Sequence, residues 1–181
     1  MRDQTHPDAN LPHLWLISDA RNDSALERAL QELPRGSGFI YRHYHLPDGQ
    51  RRNRFDELSN LARTLGHQII LSAEAEIARK WGADGIYGPP ARMTNAAGLL
   101  RLAIVHDAAE IADANRIGAD AALLSPVFTT RSHPGAGAIG TAGFRELAKL
   151  AQMPVIALGG MTAVTAAQLG WPRWAAIDGL G

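Results

Sequence analysis

The sequence predicts an α/β fold, a short TIM or (β/α)8 barrel that lacks the final helix. Eight short apolar runs rich in β-branched residues have the character of buried strands, and helical spacing lies between most of them. Alternating strands and helices are typical of a parallel sheet, and eight repeats favour a closed barrel over an open doubly wound sheet, which stays the alternative. The chain has 181 residues against roughly 250 in a typical barrel, and little of it follows the eighth run.

Each predicted element follows from its local pattern. Strands are expected at 14–18, 38–44, 68–72, 84–88, 101–105, 120–125, 154–160 and 173–179, in runs such as LWLIS and QIILS. Apolar residues at helical spacing predict helices within 25–33, 55–65, 108–115 and 144–151. Gly118 is expected to stop the third of these helices, and Thr162 to cap a further helix after the seventh strand.

Composition and charge narrow the function classes. Eighteen basic and eighteen acidic side chains give a formal net charge of zero, so neither nucleic acid nor a membrane surface is a favoured partner. The absence of cysteine excludes disulfides, thiol nucleophiles and thiolate metal sites. No apolar run approaches the ~20 residues that span a bilayer. We therefore expect one cytoplasmic barrel domain over 1–181, with a polar N-terminal extension at 1–12.

Functional side chains are expected where the strands end, because the active sites of such barrels lie at the carboxyl ends of the strands. Nearly every predicted strand becomes polar or glycine-rich there. The residues concerned are Ser18, Asp19, Arg42, His43, Tyr44, His45, Ser72, Ala73, Glu74, Tyr87, Gly88, His106, Asp107, 125–133, Gly159, Gly160, Asp178 and Gly179. Some polarity is expected wherever a strand leaves a core, but its recurrence at the strand ends predicts a site.

The double glycine at Gly159 and Gly160 predicts a phosphate site. Glycine lets backbone N–H groups approach an anion closely, and a helix capped by Thr162 would add partial positive charge. The loops after strands seven and eight of such barrels commonly hold phosphate. The alternative is a tight turn that requires positive φ and has no ligand.

The stretch SPVFTTRSHPGAGAIG at 125–140 predicts a lid. Its last six residues have the form G-x-G-x-x-G, but they begin ten residues after the strand, too far for a dinucleotide cradle. The hydroxyls of Thr130 and Ser132, together with His133, suit closure over an anionic substrate. The alternative is a solvated loop without a role in binding.

Residues 118–162 resemble the second half of thiamine phosphate synthases and of the related TenI-type thiazole tautomerases. The segment IARKWGADGIYG at 77–88 resembles the middle of the same family. The resemblance implies a TIM barrel, a role in thiamine biosynthesis and transferase chemistry. The matching residues are Pro126, Val127, Phe128, Thr130, Ser132, Gly159, Gly160 and Thr162, with His133 where lysine is usual.

The reaction that the resemblance implies joins a pyrimidine to a thiazole. A hydroxymethylpyrimidine diphosphate ionises, pyrophosphate leaves on Mg²⁺, and the nitrogen of thiazole phosphate attacks the carbocation. The double glycine would hold the thiazole phosphate, and the lid would cover the pyrophosphate. The catalytic candidates are Arg42, His106 and Ser132, and the substrate-binding candidates are Thr130, Ser132, His133, Gly159, Gly160, His43 and Tyr44.

The first half of the chain departs from the family pattern where Mg²⁺ is expected. The third strand of the family ends in Asn-Asp-Arg, with the aspartate on Mg²⁺, whereas the equivalent stretch here reads Ser72-Ala73-Glu74. The stretch after the fourth strand, where the family carries an aspartate, contains Pro89-Pro90. A lone carboxylate is a poor Mg²⁺ ligand, so Glu74 is interpreted as a charge at a helix N-terminus. Mg²⁺ is thus expected for the family, but we assign no residue of this chain to a metal.

Two alternative functions follow from these departures. One is a non-catalytic barrel that binds a phosphorylated ligand and has lost the magnesium site. The other is a TenI-type thiazole tautomerase, for which His106 and His43 are the candidates for proton transfer. Asp178 also departs from the pattern, since the family has a serine near the phosphate and an anion there would repel phosphate.

Two clusters of polar residues leave their roles open. His43 and His45 share one face if their strand is regular, and with His106 they would form a metal trio, although contacts to a pocket or a phosphate are the favoured interpretation. Arg51–Arg54 predicts either cations above the mouth or a solvated helix start. The expected partner is a small phosphorylated heterocycle, either thiazole phosphate or pyrimidine diphosphate. Apolar surface left by an absent last helix would favour a homodimer.

Overall fold

Eight parallel strands form a closed barrel in chain order, as the computed structural model shows for residues 11–129, 137–178 and 180. The barrel closes because β8 pairs with β1, with Trp15 opposite Ala175. The predicted closed barrel is therefore confirmed, and the open sheet is excluded. The strands are β1 Leu14–Ile17, β2 Gly38–Tyr41, β3 Gln68–Leu71, β4 Gly85–Gly88, β5 Leu100–Val105, β6 Ala121–Leu124, β7 Val155–Ala157 and β8 Trp174–Ala176.

The helices lie outside the strands and are fewer than the strict alternation predicts. They are α1 Leu26–Glu32, α2 Asp48–Thr64, α3 Ala75–Trp81, α4 Ala108–Ile117, α5 Gly140–Ala148 and α6 Ala163–Leu169, with 3-10 helices at Asp23–Ala25 and Pro90–Arg92. The link from β4 to β5 contains only the second 3-10 helix, so the prediction of a helix after every strand is wrong there. Pro89 and Pro90 explain this, because proline lacks an N–H and restricts the residue before it. After β8 the structure describes only residues 177, 178 and 180, none of them helical.

Side chains alternate between two hydrophobic layers along each strand. The inner layer fills the barrel and includes Trp15, Ile17, Ile40, Ile70, Leu102, Leu123, Ile156 and Ala175. The outer layer packs the strands against the helices and includes Leu16, Phe39, Tyr41, Leu71, Val105, Leu124, Phe55, Leu58 and Phe144. Because both faces of each strand are buried, the sequence shows continuous apolar runs. No helix within the described ranges is long and apolar enough to cross a membrane.

The repeated Gly-Ala-Asp at 82–84 and 118–120 has a structural explanation. Gly82 and Gly118 end α3 and α4 in the left-handed conformation. Each aspartate then accepts a backbone N–H from the neighbouring strand: the N of Ile69 lies 2.7 Å from Oδ2 of Asp84, and the N of Arg101 lies 2.8 Å from Oδ2 of Asp120. The repeat thus fixes strand starts at the end of the barrel opposite the candidate site.

Candidate active site

Arg42 lies at the rim formed by the carboxyl ends of β1 and β2. Its Nε donates to the carbonyl of Ser18 at 3.0 Å, and its Nη2 lies 2.7 Å from Oδ2 of Asp19. Tyr87, on β4, faces the barrel interior nearby, where burial raises the pKa of its hydroxyl to about 12 although the charge of Arg42 opposes the shift. A guanidinium therefore lies beside a buried, neutral phenol at this part of the site.

A second arginine at the rim, Arg21, was not predicted from the sequence. Its Nε lies 3.0 Å from Oδ1 of Asp19, and its Nη1 lies 3.3 Å from Oδ2 of Asp178. Burial alone would raise the pKa of Asp19, but hydrogen bonds from Arg21 and the charges of Arg42 and Arg21 outweigh it, so the pKa is lowered. The negative charge of Asp178, which we expected to repel phosphate, is therefore paired with a cation.

The loop after β7 has the conformation that its double glycine allows. Gly159 has φ 96° and Gly160 has φ 62°, a region that residues with a Cβ rarely adopt. The loop packs tightly on the stretch after β6: an added Cβ would lie 2.6 Å from the Pro126 Cα at Gly159, and 2.6 Å from the Thr129 carbonyl oxygen at Gly160. The backbone N of Phe128 donates to the carbonyl of Gly159 at 3.1 Å. A positive-φ turn is thus present, as the alternative interpretation required.

This turn also leaves two backbone donors without a protein acceptor. Within the described part of the chain, the N–H groups of Gly159 and Gly160 make no hydrogen bond to protein. Backbone N–H groups are obligatory donors, so such groups are normally satisfied by water or a ligand. Thr162 caps α6 as predicted, and its own N–H is used, since it donates to Oγ1 of Thr165 at 2.8 Å. Among the described residues, the two glycine N–H groups are therefore available to an anion.

Tyr44 provides an exposed aromatic ring beside the end of β3. Its side chain is 65% exposed, and its hydroxyl is hydrogen-bonded to Oγ of Ser72. The guanidinium of Arg51 lies 5.7 Å from the centre of the ring and donates to the carbonyl of Ser72 at 2.8 Å. The ring is held in place and is accessible, which suits stacking against a flat heterocycle.

His106 follows β5 and is half exposed. Its Nδ1 lies 2.8 Å from Oε2 of Glu110, which also accepts the backbone N–H of His106 at 2.7 Å. Asp107 caps α4, as predicted, by accepting the N–H of Glu110 at 2.9 Å. The carboxylate orients the imidazole and leaves Nε2 for other contacts, so the geometry allows the proton transfer proposed for His106.

His43 is not placed where the sequence predicts. The strand β2 ends at Tyr41, so His43 and His45 are not on one face of a strand, and His43 has φ 45°. Its ring is fully buried, stacks on Tyr41 with centroids 4.7 Å apart and uses both nitrogens within the protein. Its burial disfavours a contact with substrate or a proton transfer by His43, and these roles stay predictions. The trio with His106 does not form either, since the three-residue group in the described ranges joins Asp23 to His43 and His45.

Arg52 forms an i,i+4 pair with Asp56 on the surface of α2, as a solvated helix start predicts, but Arg51 and Arg54 fit neither predicted role of the cluster. Arg51 donates to the carbonyls of Arg42 and Ser72, both at 2.8 Å, and so joins the ends of β2 and β3. Arg54 is only 18% exposed and pairs with Asp23 at 2.8 Å. These cations stabilise the loops below the rim.

The predicted lid residues lie outside the described part of the chain. Thr130, Ser132 and His133 belong to 130–136, and their assignment as catalytic or substrate-binding residues stays a prediction. The flanks of this stretch are described: Val127 and Gly140 are joined by a backbone hydrogen bond of 3.0 Å, and the Pro126 carbonyl accepts the N–H of Ile139 at 3.0 Å. The predicted lid therefore starts and ends beside the double glycine.

The strand ends that should hold Mg²⁺ do not fit that ion. Ser72 is buried and hydrogen-bonded to Tyr44 and to the carbonyl of Tyr87. Glu74 is exposed at the N-terminus of α3, which agrees with its interpretation as a helix N-terminal charge. Since Mg²⁺ prefers carboxylates in an octahedral set of oxygens, one exposed glutamate and a proline pair are a poor match.

The sequence comparisons match the chain to one family over most of its length. The family model described as thiamine monophosphate synthase covers residues 14–173. The chain belongs to the thiamine monophosphate synthase family. It is 29% identical over 165 residues to a thiamine-phosphate synthase of Synechococcus sp., spanning 84% of this chain and 46% of that protein. It is 28% identical to a putative thiamine-phosphate synthase 2 of Aquifex aeolicus, over 84% of this chain and 87% of that protein. The chain thus spans about half the length of the first relative and most of the second.

Solved structures confirm the fold of this family member. A thiamine phosphate pyrophosphorylase from Pyrococcus furiosus matches with a TM-score of 0.78 and 24% identity, over 93% of this chain and 86% of that one. An N-acetylmannosamine-6-phosphate 2-epimerase from Clostridium perfringens matches with a TM-score of 0.65 and 14% identity, over 99% of this chain and 93% of that one. Identities this low show a shared barrel and do not assign an activity.

Proposed function

We propose that this chain is a transferase of the thiamine phosphate synthase type, which joins a pyrimidine diphosphate to thiazole phosphate and releases pyrophosphate. Family membership supports the reaction class. The observation that carries the proposal is the pair of N–H groups at Gly159 and Gly160, which have no protein acceptor in the described chain. Two donors on a tight turn at the rim suit the phosphate of a thiazole phosphate.

The other rim residues supply charge and a binding surface in this proposal. Arg42 stabilises developing negative charge on the departing pyrophosphate, and Tyr44 stacks against a ring. Ser132, Thr130 and His133 close over the pyrophosphate from the predicted lid. The carbon–oxygen bond of the pyrimidine diphosphate breaks, and the thiazole nitrogen donates its electron pair to the resulting carbocation.

His106 is the residue assigned to proton movement at the rim. Its pairing with Glu110 fixes the orientation of the ring and leaves Nε2 available for a proton. Mg²⁺ is expected for the family, but the described strand ends do not fit it. The homodimer stays a prediction.

One observation favours a second candidate, a barrel that binds a phosphorylated ligand without turnover. The stretches Ser72-Ala73-Glu74 and Tyr87-Gly88-Pro89-Pro90-Ala91 lack the two aspartates with which the family is expected to hold Mg²⁺, and their absence would remove neutralisation of the leaving pyrophosphate. Such a protein would still bind thiazole phosphate at the double glycine.

A turnover assay separates the two candidates. The purified chain is mixed with hydroxymethylpyrimidine diphosphate and thiazole phosphate, with and without Mg²⁺, and thiamine phosphate and pyrophosphate are quantified together. Equal amounts of the two products, lost in Arg42→Gln, support the transferase. Binding of thiazole phosphate with no product under either condition overturns the transferase and supports the ligand-binding barrel.

A further inference from the structure

Three metal-ligating side chains meet outside the barrel mouth. Asp23 starts the 3-10 helix between β1 and α1, and His43 and His45 lie in the connection between β2 and α2. One ligand atom from each lies within 4.8 Å of the other two, and the two imidazole rings are 4.9 Å apart. We propose that Asp23, His43 and His45 bind one first-row divalent transition-metal ion such as Zn²⁺. The proposal does not rest on the proposed function.

His43 is already oriented as a ligand. Its Nε2 lies 2.8 Å from Oδ1 of Asp23, and its Nδ1 lies 2.9 Å from Oγ of Ser18. A hydrogen bond at the other ring nitrogen is what fixes the orientation of a metal-bound histidine. The Ser18 hydroxyl also accepts the backbone N–H of Arg42 at 2.8 Å, which fixes it in turn.

The ion would replace the proton that His43 and Asp23 share. In a four-coordinate Zn²⁺ site the metal–ligand distances are about 2.0–2.2 Å, which places neighbouring ligand atoms about 3.3 Å apart. The carboxylate and imidazole therefore need to separate by roughly half an ångström. The proton moves to Nδ1 and is donated to Ser18, so the histidine stays neutral and the geometry is retained.

His45 completes the protein ligands and leaves one position open. It is exposed, and within the described residues its ring makes no hydrogen bond that it would have to give up. Three protein ligands with a water in the fourth position match a common zinc arrangement. Two imidazoles and one carboxylate favour Zn²⁺, Co²⁺ or Ni²⁺ over Mg²⁺, which prefers oxygen ligands.

Charges around the cluster permit a dication despite the nearby Arg54. The Nε of Arg54 lies 2.8 Å from Oδ1 of Asp23, but Arg54 also pairs with Glu27 and, at 3.2 Å, with Glu57. Three carboxylates against one guanidinium leave a formal local charge of minus two. The same arginine makes the site weaker than one with a free carboxylate, because it shares the ligand oxygen.

A bound ion would join two loops that also carry rim residues. Ser18 and Asp19 lie in one of these loops and Arg42 in the other, and Arg42 is already hydrogen-bonded to both Ser18 and Asp19. The inferred ion is therefore structural: it fixes the position of Arg42 from outside the barrel and does not enter the mouth.

Metal binding by the full chain tests the inference directly. The protein is dialysed against a chelator, and Zn²⁺ is titrated in competition with a chromophoric chelator, while Co²⁺ reports four-coordinate geometry by its visible absorption. We expect one equivalent of Zn²⁺. His45→Ala removes an exposed ligand and should weaken binding by more than about tenfold, since even outer-shell changes at metal sites cost that much. Asp23→Asn should act in the same direction.

His13→Ala is the matched control, because His13 is also an exposed histidine but lies near the start of β1 at the other end of the barrel. It should leave the affinity unchanged. Circular dichroism shows whether each variant is folded, and His45→Ala keeps the test decisive if Asp23→Asn unfolds. The inference is overturned if no stoichiometric binding occurs, if His45→Ala binds as the parent does, or if His13→Ala loses as much affinity as His45→Ala.

Discussion

Arg21 and Asp178 join the residues that follow the first and the last strand of the barrel, with Nη1 of the arginine 3.3 Å from Oδ2 of the aspartate. Arg21 follows β1 and Asp178 follows β8, so the pair lies above the seam where those two strands close the sheet. Arg21 also contacts Asp19, which in turn contacts Arg42. Four alternating charges therefore line one side of the rim.

The pairing at the seam predicts how this side of the rim affects phosphate binding. Arg21→Gln leaves Asp178 without its partner, so we expect thiazole phosphate to bind about two- to fivefold more weakly, the scale of an exposed ion pair. The double variant Arg21→Gln/Asp178→Asn should recover most of the loss. Isothermal titration measures both, and the unphosphorylated thiazole alcohol is the control ligand. An equal loss for the alcohol would contradict the electrostatic explanation.

Acid should weaken the fold partly through Asp19. Its pKa in the folded chain is lowered, so this carboxylate stabilises the fold above its ordinary pKa of 3.8. The stabilisation is lost as pH falls below that value and through the folded pKa, because the unfolded chain then binds the extra proton. Urea unfolding as a function of pH should show a shallower acid decline in Asp19→Asn than in the parent. Identical slopes below pH about 4 would contradict the assignment.

Gly160→Ala should destabilise the loop after β7. An added Cβ meets the Thr129 carbonyl oxygen at 2.6 Å, and φ is 62°, so both sterics and backbone strain oppose alanine. We expect a loss of about 1–3 kcal/mol in the free energy of unfolding. Gly137→Ala, where nothing lies within 4 Å of the added atom, is the control and should change stability little. An equal loss of stability in the two variants would show that the loop after β7 tolerates a Cβ at Gly160, contrary to the close contact with Thr129.

Asp120 should stabilise the barrel from the end opposite the rim. Asp120→Ala leaves the partly buried backbone N–H of Arg101 without this acceptor, and we expect the free energy of unfolding to fall by about 1–2 kcal/mol. Asp113→Ala removes only an exposed pair with Arg116 on the surface of α4 and should cost less than about 1 kcal/mol. Chemical denaturation compares the two, and similar losses would argue against the role given to the Gly-Ala-Asp repeat.

Local pattern predicted the strands because their two-sided burial leaves continuous apolar runs, and β1 and β3 begin where the patterns begin. It failed at Pro89-Pro90, where the count of repeats suggested a helix that proline prevents. It also failed at His43, since the run 38–44 continues in aromatic residues after β2 has ended at Tyr41. A turn with φ 45° then directs that histidine away from the mouth.

The residue types in the sequence predicted part of the candidate site and missed the rest. Gly159, Gly160 and Thr162 carry their information in residue type, because a positive-φ turn and a helix cap need those residues. The position of Arg21 could not be inferred from its residue type. Its partner Asp178 lies near the other end of the sequence, and only closure of the barrel brings the two together. Asp23 was missed likewise, because two loops distant in sequence form its surroundings.

The proposed function requires that the backbone N–H groups of Gly159 and Gly160 bind a phosphate group. Amide NMR spectra of the ¹⁵N-labelled chain, recorded during titration with thiazole phosphate and with the unphosphorylated thiazole alcohol, test it most directly. We expect large shifts of these two amides with the phosphate ligand and small shifts with the alcohol. Saturable binding that leaves both amides unshifted, or that shifts them equally with the two ligands, would contradict it.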